Sequence, residues 1–404
     1  MEAEKMSYLK KQLEKKQARV RLRYKYYEGK KEAERFGRTL PEQFKYIALT
    51  LGWCTEAVDS LADRLAVHGL KNDDFGMQEI FDLNNKDIFF DSGMLDALIA
   101  SCSFIFVSEK DNFPTLQIID GYNATGIIDD ETMFLKEGYA VLQRDKSERV
   151  VKEAFFEPGL TTVITYDNGT QMEEQIENPA LYPLLVPLVH RPSATRPFGH
   201  SRISRACMSA QNAALRTISR SEICSEFYSF PQKYVLGLDP DAEFNNRKAA
   251  ISDFLRFDSN ESGEKPTVGA FPQQSMTPFI EELRMHASIF AGETGLTMDD
   301  IGFPSSNPSS FDAIKASHDR LRLKAVKAQK CFSVGFLNAG FLGACLRDKQ
   351  GYQRQRIYNT GIIWEPLFGV DAGSFGTIGD ALQKIESSFP GYLTQDRIYE
   401  IFGI

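Results

Sequence analysis

The sequence predicts an α+β fold, and three patterns predict it. Apolar residues recur at helical spacing near the start of the chain. Short β-rich runs fill residues 104–190. A long segment without Gly or Pro, 200–229, is followed by a small β-containing module and a further helix. The 404 residues are enough for two or three domains. A hydrophobic content of 42% with thirty Phe supplies real cores and excludes a disordered chain.

The elements follow in order. Residues 7–36 read as a helix, because Leu9, Leu13, Val20, Tyr24 and Tyr27 share a face between lysines and arginines, and Gly29 or Gly37 stops it. Residues 53–68 read as a second helix, with Val58, Leu61, Leu65 and His68 on one side and Gly69 as the C-cap. The runs SFIFVS, TLQIID, YAVLQRD, VVKEAFF and TTVITYD read as strands of one mainly β module. Asp167-Asn168-Gly169 is a hairpin turn, and the Pro-punctuated strand Pro183 to Pro192 closes the module. In 199–229, Ile203, Cys207, Ala210, Ala214 and Ile218 form one small-sided stripe, which lets helix backbones approach closely. Phe230-Pro231 breaks that helix, and 230–276 is a compact, acidic insertion with strands at QKYVLGL and Thr267 to Phe271. Thr277-Pro278 starts the next helix, with Glu281 and Glu282 in its first turn, and Gly295 ends it. The turn formers IGFPSSNPSS make a loop. Ser309 and Asp312 open a capping box for a long basic helix from Ser310 to about Leu346. After a Gly-rich stretch, Gly361 to Gly379, two short helices are expected at Asp380 to Ser388 and Thr394 to Phe402.

Charge and motifs narrow the function. There are 47 basic and 55 acidic residues, a net −8, whereas tight sequence-reading DNA binders are basic. Two stretches run the other way: 1–38 carries +7 and 312–330 carries +4. The six cysteines are scattered singly, as expected of reduced, buried thiols. MEAEKMSYLK has no apolar signal core. No apolar run nears the roughly 20 residues of a membrane span, so no membrane association is expected. The chain has no GxxxxGK[ST], HExxH, HxE…PCxxC or GxSxG motif. His68, His190, His200, His286 and His318 are far apart in sequence, without metal-ligand spacing. No catalytic residue, metal or cofactor is therefore expected, although triads assembled in space leave no sequence motif.

A set of local strings occurs in a telling order. They are Tyr26-Tyr27-Glu28-Gly29, Val189-His190-Arg191-Pro192 leading to Gly199-His200-Ser201, and Phe230-Pro231-Gln232 with Gly237. Met276 to Phe279, Glu293-Thr294-Gly295 and Pro308-Ser309-Ser310 before the long helix complete the set. In this order and spacing the chain resembles the portal proteins of tailed double-stranded DNA bacteriophages, of the siphophage type, over about residues 20–402. The resemblance implies a wing of mixed α/β structure (1–198), a first stem helix (199–229), a clip (230–276), a second stem helix (277–296), a tunnel loop (297–311), a long helix returning to the wing (312–376) and a short helical crown (377–404). It implies a non-enzymatic dodecameric ring at one capsid vertex of the virion, assembled in the host cytoplasm. That ring conducts double-stranded DNA without sequence preference during packaging and ejection. It docks the terminase large subunit and then the head-to-tail adaptor, beside the major capsid and scaffolding proteins.

On this resemblance, Pro304, Ser305, Ser306, Asn307, Pro308, Ser309 and Ser310 would face DNA in the channel. The clip acids Asp239, Asp241, Glu243, Asp258 and Glu261 would meet docking partners. The small stripe has two readings: an ordinary buried helix face, or an intersubunit contact around a narrow collar. The basic helix (Lys315, Arg320, Arg322, Lys324, Lys327) faces DNA or, by preference, neighbouring acidic subunits. The N-terminal basic helix faces packaged DNA, capsid or scaffold, or is a plain solvated face. The alternatives for the whole chain are a minor capsid or adaptor protein without a channel, and a phage enzyme without a sequence motif.

Overall fold

The computed structural model describes residues 2–30, 49–167, 170–229, 233–236, 267–270, 275–304, 311–367, 375–394 and 397–398. Helix α1, Glu2–Tyr27, buries Leu9, Leu13, Val20 and Tyr26, and Gly29 follows it at φ +66°. Helix α2, Trp53–Ala62, is shorter than its periodicity predicts. His68 and Gly69 lie instead in strand β1, Val67–Lys71, which pairs antiparallel with β12, Gly361–Trp364. Pairing with a strand some 290 residues away overrides the helical pattern, because it satisfies the backbone groups of both segments. Helices α3, Met77–Leu83, and α4, Lys86–Ala100, lead into the β region.

That region holds two antiparallel sheets rather than one. The first has the order β3-β2-β9, from Phe113–Ile119, Cys102–Lys110 and Leu185–Val189. The second is a meander of β4 to β8: Ala124–Ile128, Leu135–Arg144, Val150–Glu157, Leu160–Asp167 and Thr170–Glu177. Strand β9 is buried at every residue, the pattern of a strand covered on both faces. Its Leu188 packs between Gly93 of α4 and Gly335 of the long helix α8, Asp319–Arg347. Its Leu185 turns the other way, onto Gly138 of β5, and Phe106 meets Phe156 of β6 with ring centroids 5.2 Å apart. The small sheet is thus sandwiched between helices and the larger sheet. Phe89, Phe90 and Phe336 interlock on the helical side, with Phe90 edge-on to Phe336 at 4.7 Å.

Helix α1 lies on the larger sheet through a second small core of Leu9, Leu13, Tyr139, Val141 and Phe155. Beneath it Glu153 is buried, a placement tolerable only with strong partners. Lys10 Nζ at 2.6 Å, Tyr139 Oη at 2.5 Å and Tyr166 Oη at 2.8 Å provide them.

Helix α5, Arg205–Ser229, begins several residues later than predicted, and Ile203 precedes it. Strands β10, Lys233–Leu236, and β11, Thr267–Ala270, pair antiparallel and lead into α6, Thr277–Thr294. Met276 is its N-cap, one residue earlier than predicted, and Glu281 and Glu282 fall past the first turn. Gly295 closes it at φ +77°, with its N–H donated to the Ala291 carbonyl. The predicted continuous basic helix is interrupted at His318, between α7, Phe311–Ser317, and α8. Helix α9, Phe375–Ser388, starts earlier than expected, and the predicted last helix lies outside the described residues except for 394 and 397–398.

Candidate functional site

Helices α5 and α6 pack against each other and carry the β10–β11 ribbon at their far end. Arg220 Nη2 and Glu282 Oε1 pair across them at 2.7 Å. Cys207, Ala210, Ala214 and the preceding Ile203 are 0 to 7% exposed and belong to the main core, while Ile218 is half-buried. Within the single chain the stripe is an ordinary buried helix face. Its small side chains admit the chain's own neighbouring helices, and Gln211 on the same helix accepts the Cys54 N–H at 2.8 Å. The side of α5 left outward carries Arg205, Ser209, Arg216 and Arg220.

Beyond α6 the chain makes a reciprocal turn. The Thr297 N–H donates to Asp300 Oδ2 at 2.8 Å, and the Asp300 N–H to Thr297 Oγ1 at 3.2 Å. Asp300 Oδ1 also lies 3.1 Å from His318 Nε2. Burial works against the Asp300 charge, but the Thr297 and His318 contacts outweigh it and hold the carboxyl below its usual range. One carboxylate therefore joins the residues just before the Ser/Pro/Asn loop to those just after it. Pro304 is exposed at the loop's entry. Ser305, Ser306, Asn307, Pro308, Ser309 and Ser310 lie outside the described residues, as do the clip acids Asp239, Asp241, Glu243, Asp258 and Glu261.

The basic helix proves to be largely engaged within the chain. Arg320 Nη2 donates to the Gly292 carbonyl at 3.1 Å, and Lys324 Nζ to those of Glu293 at 3.1 Å and Thr294 at 2.6 Å. These are the unpaired carbonyls at the C-terminus of α6, where the helix dipole favours cations. Burial together with Arg202, Arg320 and Arg191 pushes the Lys324 amine down to about 8. Arg322 pairs with Asp319 at 2.7 Å. Lys315 is half-buried with a partner of its own, and Lys327 stands exposed. Arg320, Arg322 and Lys324 thus have partners within the chain. Helix α1 is likewise tied to the β module: Lys5 reaches Glu137 at 2.6 Å and Glu157 at 3.2 Å, and Lys10 reaches Glu153.

The VHRP…GHS segment is a structural node. His190 is fully enclosed, with Nδ1 2.6 Å from the His200 carbonyl, and burial holds its ring neutral, down to about 3. Arg202 is buried too, and its Nε donates to the Ala57 carbonyl at 2.8 Å. No cluster of three or more potential metal ligands occurs among the described residues. Sequence reasoning missed the Asp300–His318 latch and the burial of Glu153. Neither leaves a local motif.

No family model matches the chain. The portal protein of Mycobacterium phage L5 is 24% identical over 331 residues, spanning 76% of this chain and 67% of that protein. The portal protein of Mycobacterium phage D29 is 24% identical over 400 residues, spanning 94% of this chain and 81% of that protein. Among solved structures, a chain from the neck of a native gene transfer agent particle, computed with C12 symmetry, covers 87% of this chain and 89% of its own length, with TM-score 0.46 and 10% identity. A chain from the virion of the native particle covers 87% and 89%, with TM-score 0.43 and 11% identity.

Proposed function

We propose that this chain, a relative of the portal proteins of tailed phages, works as a portal subunit. About twelve copies close into a ring at one capsid vertex, and double-stranded DNA passes through its centre during packaging and ejection. The observation that carries the reading is kinship to a portal protein along 94% of the chain. The geometry is compatible with it. A helix pair, α5 and α6, bears the insertion at one end and is followed by a polar loop whose two flanks are clamped by Asp300 and His318.

In this reading α5 and α6 are the stem, and 230–276 is the clip that meets terminase and later the adaptor. The segment Pro304 to Ser310 touches DNA weakly through hydroxyl and amide groups. Twelve stem helices about 10 Å apart would stand on a circle roughly 38 Å across, leaving about 28 Å inside the helix radii, enough for a duplex. The protein's work is then conduction and docking rather than catalysis.

Mass photometry of the purified protein tests this. A species near 550 kDa, about twelve times the 45.6 kDa chain, with hollow rings in negative stain, is expected. Monomers or dimers at micromolar concentration and moderate salt would overturn it. Closed assemblies with no central hole would favour an adaptor.

A further inference from the structure

Five arginines converge on one cleft of about 820 Å³. Arg19 and Arg23 come from α1, Arg191 and Arg196 from the turn between β9 and α5, and Arg205 from the first residue of α5. Glu293 is the one carboxylate among the lining residues. Arg19, Arg191, Arg196 and Arg205 are exposed, and among the described residues none of the five forms an ion pair. Burial, with Arg19 and Arg196 alongside, lowers the Arg23 guanidinium to about 10. On a chain of net −8 so concentrated a positive cleft has, among the described residues, only Glu293 as a carboxylate in its lining.

An exposed acidic strand lies elsewhere on the same molecule. The cleft adjoins a slot that shares Arg19, Pro197 and Phe198 with it and is walled by β4, through Thr125 to Ile128. Strand β4 is one outer strand of the five-stranded sheet, and β8 is the other. Every residue of β8 is exposed. Glu173 and Glu177 share one side of it, about 13 Å apart at strand rise. Four strand spacings, roughly 19 Å, separate the two edges. Strand β8 is thus the sheet edge farther from the β4-walled slot beside the cleft, placed to meet the cleft of another copy.

We infer that the arginine cleft of one copy receives strand β8 of the next, with Glu173 and Glu177 supplying carboxylates to the guanidiniums. The inference rests on the ring reading and gives it a named contact. Two different patches at opposite edges of a sheet make a head-to-tail interface, the type that closes into rings. Arginine suits it, because its planar fork holds a carboxylate through two hydrogen bonds. On the β4 side a nucleic-acid strand fits less well, because the cationic path does not continue there. The adjoining slot is walled by Val20, Ile127, Ile128 and Phe198. Its Lys16 is occupied by the Ala124 carbonyl and lies over the Phe104 ring.

Charge reversal tests the contact. Two variants are made, Glu173→Arg/Glu177→Arg and Arg196→Glu/Arg205→Glu. All four sites are exposed, and a circular dichroism melt checks that each variant folds. Each alone should raise the concentration for half-assembly at least about tenfold in mass photometry. An equimolar mixture, in which each reversed edge meets a reversed cleft, should restore the wild-type assembly. Intact assembly of both separate variants would overturn the contact and leave the ring standing, as would loss that the mixture does not rescue. If cleft reversal leaves assembly unchanged and instead abolishes binding of a labelled duplex, the cleft is a nucleic-acid site and the contact is overturned. A wild-type chain that never assembles would remove the ring reading itself.

Discussion

Gly199 sits at φ +67°, and a Cβ there would stand 2.1 Å from the His190 carbonyl oxygen. That oxygen accepts the His200 N–H at 2.9 Å, so it cannot move away cheaply. His190 in turn donates its own N–H to the Ser101 carbonyl, and Ser201 Oγ donates to that of Ile99 at 2.6 Å. Gly199→Ala should therefore cost about 3 kcal/mol or more, through both backbone strain and collision. Urea unfolding measures it, and a midpoint unchanged from wild type would show that the turn can open. The two histidines and Gly199 are visible in the sequence as a motif. Their role is not, because only the fold brings Ser101 and Ile99 beside them. Arg191 and Arg196, each followed by Pro, were equally visible, yet Arg19 and Arg23 join them from some 170 residues away.

For the helices, periodicity identified the buried side of α5 and left its partner open. The same small stripe serves a neighbouring copy or the chain's own α6, and the side chains are alike in both cases. The structure chooses α6 and the main core, with Ala214 at 0% exposure. Ala214→Trp should thus damage folding before it damages assembly, by about 2 kcal/mol or more from overpacking. Thermal unfolding of the variant reads this directly, and a wild-type melting temperature with lost assembly would restore the intersubunit reading. The basic helix gives a parallel lesson. Its lysines and arginines repeat as a solvated face would, but Arg320 and Lys324 close the C-terminus of a helix about 30 residues earlier in the chain. Helix α2 ends early for the same kind of reason, since β1 finds its strand partner at 361–364.

Across the whole molecule, charge limits what a ring of these chains can do to DNA. With −8 per copy, a ring of about twelve carries roughly −100, and in the proposed assembly the arginine cleft is filled by protein. Weak phosphate contact keeps few counterions to release and lets a duplex slide. We expect the assembled protein to bind a labelled duplex of roughly 30 base pairs with a Kd above about 1 μM near 0.15 M salt. Fluorescence anisotropy measures this, and nanomolar binding would mean that cations line the path.

The sequence by itself determined the α+β class, helices α1 and α2, the order from the β region through the α5–insertion–α6 unit to the long helix, and the absence of a recognisable catalytic motif, while α3 and α4 went unread. These follow from local physics: side-chain periodicity, caps, and the turn propensities of Gly, Pro and Asn. Only the tertiary structure decided that the β region splits into two sheets, that the small stripe faces inward, and that Arg320, Arg322 and Lys324 of the basic helix find partners within the chain. It alone gathered five arginines into one cleft and set Glu173 and Glu177 on an outer strand of the larger sheet. Periodicity says which way a side chain points and charge sums say how many ions there are, but which surfaces meet depends on contacts between residues far apart in the chain.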